Sequence, residues 1–328
     1  MAAPFFQGRK TAREEQLAGL AILTAFLLLP SLLAEKIGWL ACLIPLPVFY
    51  YYVSLGRQRG AIALRNAVLL ASGCAVLFGI LPMLIFSLTL VPLGIVLSCG
   101  IFKEKSPVAA GFNGFLVLTL TWLLYWTGLA LLYGTNPYGS LLAQLDRGLS
   151  SGFLLYEKSA GLKPEILESV RQAVEILRVY IPKILPALLV SALLGTTWLN
   201  LVLGTLLLQT KDRRLTPWPD YSEWKLPEPL VWLVILSGVC LLLLPRPLSL
   251  LGLNGLIVCS TLYFFQGLAI AAKLLKRWSV PKLIRVLIYA LIFIQTYGII
   301  VLSFLGLVDV WADFRKLNQT GDNPTASV

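Results

Sequence analysis

Two carboxylates near the C-terminal end of the chain have a spacing that could support chemistry. In the stretch LGLVDVWADFRK (305–316), Asp309 and Asp313 lie four residues apart with Trp311 between them. Residues four apart share a helix face, so the carboxylates could form a catalytic pair. Asp309 could instead face inward, paired with a cation or coordinating a substrate. Because residues 286–308 carry no charge, the stretch could equally be a helix leaving a membrane, with Trp311 at the interface. All three interpretations stay open from sequence alone.

Uncharged polar side chains within apolar runs form a second candidate group. They are Asn254, Tyr263, Gln266, Gln295 and Tyr297. An amide in lipid needs a hydrogen-bonding partner, so these side chains are expected to face a helix bundle interior. They could join helices to one another, or they could line a pocket for a small hydrophilic molecule. We expect a ligand-binding site here, with Asp309 at its mouth, although Asn254 and Gln266 point about 120° apart on one helix.

A spacing of small residues near the beginning of the chain predicts a helix contact. Ala21 and Ala25 lie four residues apart in the first apolar run. Small residues at this spacing allow two helices to approach closely in a membrane.

Several kinds of chemistry have no signature in the sequence. The chain contains no histidine, and its five cysteines lie in apolar runs without metal-site spacing. No Walker A loop, dinucleotide fingerprint, zinc-protease motif or nucleophile elbow occurs. We therefore expect no cofactor, no metal and no enzymatic activity of the chain's own. The net charge of +11 is distributed between apolar runs, which favours lipid contact over nucleic acid as its explanation.

The elements that must position these residues are transmembrane helices. The chain is 58% hydrophobic and 13% charged, with a mean hydropathy of +0.81. Apolar runs long enough to cross a membrane recur along it. We predict an all-α polytopic bundle of about eight or nine spanning helices in a single integral membrane domain, 1–328. The predicted segments are 17–34, 37–55, 61–80, 83–102, 108–133, 184–209, 230–245, 249–272 and 283–308. The short seventh segment and a break at Pro82 leave the count open.

Two polar regions interrupt the apolar segments. Residues 138–182 form an amphipathic insertion between the fifth and sixth spans, with a helix predicted over 162–182. It is expected to lie on the membrane surface or to pack across the mouth of the bundle. The loop 210–229 is rich in tryptophan and proline, which is typical of an interfacial belt. A structured lid or a docking surface for a partner is the alternative.

The distribution of lysine and arginine indicates the orientation. If nine crossings are counted, the basic groups at 9–13, 57–65, 103–105, 211–214 and 273–285 lie on the same side. Since basic residues favour the cytoplasmic side, we predict a bacterial cytoplasmic (inner) membrane protein with a cytoplasmic N-terminus.

Four motifs carry a resemblance to a known family. They are EWKLPEPLVW (223–232), NGLIV (254–258), FQGLA (265–269) and LGLVDVWADFRK (305–316). With these motifs the chain resembles the YybS-like bacterial membrane proteins, a family of unknown function. That family is distantly similar to the substrate-binding subunits of energy-coupling-factor vitamin transporters and to the rod-shape protein MreD. The resemblance implies that Ala21 and Ala25 would match the small-residue motif that meets a coupling subunit.

Residues and resemblance together favour one function and leave a second open. The favoured function is small-molecule binding and transport with partner membrane subunits. The alternative is a membrane scaffold that recruits cell-envelope or division machinery through 138–182 and 210–229.

Overall fold

A computed structural model describes residues 12–134, 136–158, 164–312 and 314 of the 328-residue chain. Every regular element in this part of the chain is helical, and it contains no strand. The predicted all-α fold class is therefore confirmed. The α-helices are α1 (Ala12–Leu32), α2 (Ala34–Ile37), α3 (Pro45–Ser54), α4 (Arg57–Leu77), α5 (Leu81–Leu88), α6 (Val91–Phe102), α7 (Pro107–Tyr133), α8 (Pro137–Glu157), α9 (Pro164–Lys211), α10 (Leu230–Leu243), α11 (Leu248–Arg277), α12 (Lys282–Ile294) and α13 (Thr296–Ala312). Short 3-10 helices lie at Gly38–Leu43, Arg213–Leu215 and Tyr221–Glu223.

The helices have the length and composition of membrane spans. Among the described residues, six helices are long and apolar enough to cross a membrane, or up to eight if each of two bent pairs is one span. This confirms the predicted transmembrane bundle. Helix α10 corresponds to the predicted seventh segment and has 14 residues, fewer than the roughly 20 that a straight crossing needs.

Prolines determine where several helices begin. The first residues of α3, α7, α8 and α9 are Pro45, Pro107, Pro137 and Pro164. Proline suits this position because its missing N–H would have no partner inside the helix. Helix α8 also has a side-chain cap, since Asn136 accepts hydrogen bonds from the Tyr138 and Gly139 N–H groups.

Three helices end in the same hydrogen-bonded turn, the Schellman motif. After α4, Ile80 N–H donates to the Ala75 carbonyl and Gly79 N–H donates to that of Val76. Gly79 has φ 69°, in the left-handed region. The same turn follows α6 and α11, where Glu104 (φ 50°) and Ser279 (φ 52°) hold the left-handed position. The expected break near Pro82 is thus present, and it is made by this turn, with Pro82 in the first turn of α5.

The chain divides into two compact units. The first comprises 1–125 and 195–220. In it, α1 packs on α4, and α3 packs on α6. Phe49 is fully buried, and its ring lies so close to Gly204 that a side chain there would overlap it. Asn200 donates to the Cys42 carbonyl at 2.7 Å, which ties α9 to the 3-10 helix before α3.

The second unit comprises 126–194 and 221–328. Helix α11 is its centre, with α10, α13 and the 3-10 helix Tyr221–Glu223 packed against it. A Cβ on Gly252 of α11 would lie 2.6 Å from the Ser237 carbonyl oxygen of α10. Only glycine therefore permits this approach of the two helices, which is how small residues bring membrane helices together.

Helix α9 differs from the sequence prediction. Separate helices were expected over 162–182 and 184–209, whereas one 48-residue helix runs from Pro164 to Lys211 with Pro182 and Pro186 inside it. A proline inside a helix removes one backbone hydrogen bond. Side chains of other helices bond to backbone groups beside these prolines, as described below, and the helix continues past them.

The last predicted span is also divided differently. One helix was expected over 283–308, but α12 ends at Ile294 and α13 begins at Thr296. The two helices meet at a bend of more than 40°. Gln295 has extended backbone angles (φ −98°, ψ 119°) that interrupt the helix.

Candidate functional site

A close crossing of α11 and α13 positions the polar residues of the second unit. A Cβ on Gly267 would overlap the backbone carbonyl of Leu302, and a Cβ on Gly306 would overlap that of Tyr263. The two helix backbones are therefore in direct contact at reciprocal glycines. Since Gln266 adjoins Gly267, and Asp309 lies one turn beyond Gly306, the crossing brings these two side chains together.

Gln266 is the central hydrogen-bonding group of this crossing. Its side chain is fully buried. Nε2 donates to the Gly306 carbonyl at 3.0 Å and to Asp309 Oδ2 at 3.2 Å, and Oε1 accepts from the Leu226 N–H at 3.0 Å. One carboxamide thus joins α11, α13 and the loop before α10. The sequence predicted a buried, partnered amide here, and the partners match that expectation.

Asp309 faces the protein interior. It is 2% exposed, and its Oδ1 accepts a hydrogen bond from the Phe314 N–H at 3.0 Å. Asp309 therefore faces inward, and the partners described are the Gln266 amide and the backbone that follows α13. Pairing of Asp309 with a cation or a substrate remains a prediction. Trp311 is 67% exposed, and its position at a membrane interface remains a prediction. Asp313 and the basic pair at 315–316 lie outside the described residues, so the paired-carboxylate prediction remains a prediction.

The second half of the tryptophan- and proline-rich loop docks on α11. The Tyr221 hydroxyl donates to the Phe265 carbonyl. Lys276 donates to the Ser222 hydroxyl at 3.4 Å, and Lys273 pairs with Glu223 at 3.6 Å. With the Leu226 bond to Gln266, these contacts give the loop a fixed place on the helix.

The three tryptophans of 216–232 have different surroundings. In the first unit, Trp218 is buried, donates to the Lys105 carbonyl and lies near Phe49. In the second unit, Trp224 lies near the Tyr221 ring, and Trp232 is 69% exposed.

Asn254 stabilises α9 at its prolines. Its Oδ1 accepts from the Ala187 N–H at 3.0 Å, and its Nδ2 donates to the Lys183 carbonyl at 2.8 Å. These are the two backbone groups that one turn of an uninterrupted helix would join. The neighbouring Pro182 carbonyl loses its helical donor because residue 186 is proline, and the Tyr138 hydroxyl donates to it at 3.0 Å. The Asn254 side chain therefore joins α11 to α9 by hydrogen bonds.

Tyr263 lies at a cavity of the second unit. The side chain is 2% exposed, and its hydroxyl has no hydrogen-bond partner among the described residues. The cavity has a volume of about 290 Å³ and lies between α10, α11 and α13. Its lining is mostly apolar and consists of Val234, Leu256, Cys259, Ser260, Tyr263, Ile299, Ile300, Ser303, Phe304 and Leu307.

The remaining predicted site residues lie at the surface. Gln295 is exposed at the break between α12 and α13, and Tyr297 is 79% exposed. In the first unit, Ala21 is exposed and Ala25 is partly exposed, whereas the buried face of α1 contains Leu23 and Leu27. The structure thus brings Gln266 and Asp309 together near Tyr263 and places Asn254, Gln295 and Tyr297 elsewhere.

Sequence reasoning missed the residues that make the crossing. Gly267 and Gly306 were read only as parts of motifs, and Leu226 contributes through its backbone, which no side-chain pattern reveals. A signal was available, because glycine directly after a membrane amide and glycine three residues before a membrane carboxylate both indicate close helix contact. Within the described residues, no three Cys, Asp or Glu side chains lie where they could hold a metal ion.

The fold and this buried polar cluster define a class of protein. A helical chain with at least six described apolar spans and amide and carboxylate groups satisfied inside the bundle is a polytopic integral membrane protein. The chain belongs to a family of predicted membrane proteins, DUF2232, which matches residues 21–310. No curated protein and no solved structure matches it.

Proposed function

We propose that this protein is the small-molecule-binding component of a membrane transport system that acts with partner membrane subunits. The observation that carries the proposal is the buried Tyr263 hydroxyl, which has no partner among the described residues and belongs to a residue lining a cavity of about 290 Å³. A buried hydroxyl without a partner costs about 1–3 kcal/mol. A ligand that accepts or donates one hydrogen bond there would recover that free energy.

The lining favours a particular ligand chemistry. Leu256, Ile300 and Phe304 offer apolar contact, while Ser303 already donates to the Ser260 carbonyl. The ligand therefore has a mainly apolar body and one hydrogen-bonding group. This proposal departs from the small hydrophilic molecule that the amides predicted, because the Gln266 and Asn254 carboxamides are engaged by protein groups.

Partner subunits are supported by a second surface. Ala21 is exposed on α1, where small residues permit close approach of another helix. The resemblance to YybS-like proteins and to energy-coupling-factor binding subunits points to the same use of this face. We propose no enzymatic activity of the chain's own.

The test is native mass spectrometry of protein purified in mild detergent from its own membrane. We expect a bound small molecule that is lost from Tyr263→Phe and from Ser260→Phe, which narrows the cavity. The matched control is Tyr133→Phe, since Tyr133 is 71% exposed. An empty wild-type protein, or a ligand retained equally by all three variants, would contradict the proposal.

A scaffold that recruits envelope or division machinery is the second candidate function, and one observation favours it. Helices α8 and α9 form an antiparallel hairpin in which Arg178 pairs with Asp146 at 2.8 Å and with Glu175 at 2.7 Å. Large apolar side chains remain exposed along it, including Leu155 (71%) and Val179 (54%). If this surface recruits a protein, the double variant Leu155→Glu, Val179→Glu should no longer recover that protein after cross-linking. The control Ser151→Glu should recover it as the wild type does.

The proposed location is the bacterial cytoplasmic membrane with a cytoplasmic N-terminus. It is supported by Arg57 and Arg59, which are exposed at the start of α4. In a variant without native cysteines, Gln58→Cys should be protected from an impermeant thiol reagent in intact cells, and Ser151→Cys should react. The opposite labelling would reverse the orientation.

A further inference from the structure

The segment 276–285, which we term the α11–α12 corner, concentrates positive charge at the surface of the second unit. It contains Lys276, Arg277, Lys282 and Arg285. No acidic residue occurs in the sequence between Glu228 and Asp309. The preceding cation, Lys273, is paired with Glu223. The corner is therefore the most strongly basic part of the C-terminal helices.

Two of these cations are available to a ligand. Arg277 and Lys282 are exposed, and neither makes an ion pair with another described residue. Arg285 is held in place differently, because its Nε donates to the Val280 carbonyl at 2.7 Å. That bond fixes the guanidinium beside the turn, and a fixed guanidinium is well suited to phosphate.

Backbone hydrogen bonds close the turn at the end of α11. Val280 N–H donates to the Leu275 carbonyl, and Ser279 N–H donates to that of Lys276. These two bonds form a Schellman turn, which closes the C-terminal end of α11. The Arg285 side chain of α12 bonds to the Val280 carbonyl of the same turn, so the cations before and after the turn are joined through this contact.

Apolar and aromatic side chains surround the charges. Trp278 is 67% exposed, Leu283 is 74% exposed and Val286 is 63% exposed. Tryptophan favours the interface between headgroups and acyl chains. Lys282, Arg285 and Tyr289 recur at helical spacing on one face of α12. A basic stripe beside exposed apolar residues is the pattern of a helix in the membrane interface.

We infer that the α11–α12 corner binds the phosphate headgroup of an anionic phospholipid. Arg277, Lys282 and Arg285 contact the phosphate, and Trp278 and Leu283 contact the glycerol and the upper acyl chains. Charge complementarity selects an anionic headgroup. The exposed apolar residues select a lipid over a free phosphate, because they offer the acyl chains a surface that a free ion cannot use.

The experiment is native mass spectrometry of the delipidated, detergent-solubilised full chain titrated with short-chain phosphatidylglycerol or phosphatidylcholine. We expect saturable binding of phosphatidylglycerol that is at least about tenfold tighter than that of phosphatidylcholine. Arg277→Gln with Lys282→Gln should remove this preference. The matched control is Arg147→Gln with Arg171→Gln, which changes two exposed arginines of α8 and α9 and should leave it intact.

Three results would overturn the inference. One is equal binding of the two lipids to the wild type. Another is an unchanged preference in the corner variant, with its thermal unfolding confirming that it is folded. The third is complete displacement of phosphatidylglycerol by millimolar inorganic phosphate, which would identify an ion site. Trp278→Ala should weaken the binding of phosphatidylglycerol and leave the binding of inorganic phosphate unchanged.

Discussion

The Gln266 carboxamide donates to the Asp309 carboxylate at 3.2 Å, although the two residues are 43 positions apart in the chain. The contact exists because Gly267 and Gly306 let α11 and α13 meet backbone to backbone. Gln266 also accepts from the Leu226 N–H. A single buried side chain thus joins two helices and a loop.

Gln266→Leu is expected to destabilise the protein strongly. It leaves the Leu226 N–H without its acceptor and removes a donor to Asp309. The loss of two buried partners should lower the free energy of unfolding by about 2–4 kcal/mol. A titration with SDS followed by circular dichroism measures it. Gln172→Leu is the control, because Gln172 is exposed on α9 and should change stability by less than about 0.5 kcal/mol. Equal effects of the two substitutions would show that the Gln266 bonds contribute nothing.

Gly267→Ala and Gly306→Ala should each force α11 and α13 apart. A Cβ at either position overlaps a backbone carbonyl of the other helix, which cannot move aside as a side chain can. We expect each substitution to lower the free energy of unfolding by about 1–3 kcal/mol, measured in the same SDS titration. Gly238→Ala in α10 is the matched control, since nothing lies within 4 Å of its added Cβ, and alanine should be neutral or stabilising there. A stable Gly267→Ala variant would mean that the crossing is looser than described.

The Schellman turns predict substitutions that stabilise the protein. Glu104 and Ser279 occupy the left-handed position that Gly79 fills after α4. Left-handed backbone costs a residue with a Cβ roughly 1–2 kcal/mol, and glycine's extra entropy in the unfolded chain offsets part of that. Glu104→Gly and Ser279→Gly should therefore raise stability by about 0.5–1 kcal/mol, and Gly79→Ala should lower it. Thermal unfolding in detergent measures the change in melting temperature for each of the three substitutions. Changes of the same sign in all three would contradict the assignment of these turns.

Composition and apolar runs were enough to predict a bundle of membrane-spanning helices, because each residue in lipid must satisfy its backbone within its own helix. The continuity of α9 could not be predicted, since it depends on Asn254 and Tyr138, which are distant in sequence from the prolines they compensate.

The candidate site was predictable only in part. Gln266 and Asp309 were recognisable as polar groups that need partners, whereas their contact depends on a tertiary crossing. Gln295 and Tyr297 matched the same pattern, but they lie at the surface because α12 and α13 separate at Gln295. The sequence prediction continued one helical period through Gln295. It therefore assigned Tyr297, which follows Gln295, to the wrong face of the helix.

The final prediction concerns how α9 remains helical past its prolines. Because residue 186 is proline, the Pro182 carbonyl has no helical donor, and the Tyr138 hydroxyl replaces it at 3.0 Å. In the otherwise wild-type protein, Tyr138→Phe should lower the free energy of unfolding by about 0.5–1 kcal/mol. In a Pro186→Ala background the restored N–H can donate to the same carbonyl, so the same substitution should cost less. A double-mutant cycle of unfolding free energies measures the difference, with Tyr133→Phe as the control for loss of an exposed hydroxyl. The same cost of Tyr138→Phe in both backgrounds would contradict the compensation, and a smaller cost after Pro186→Ala would establish that α8 supplies the hydrogen bond that proline removes.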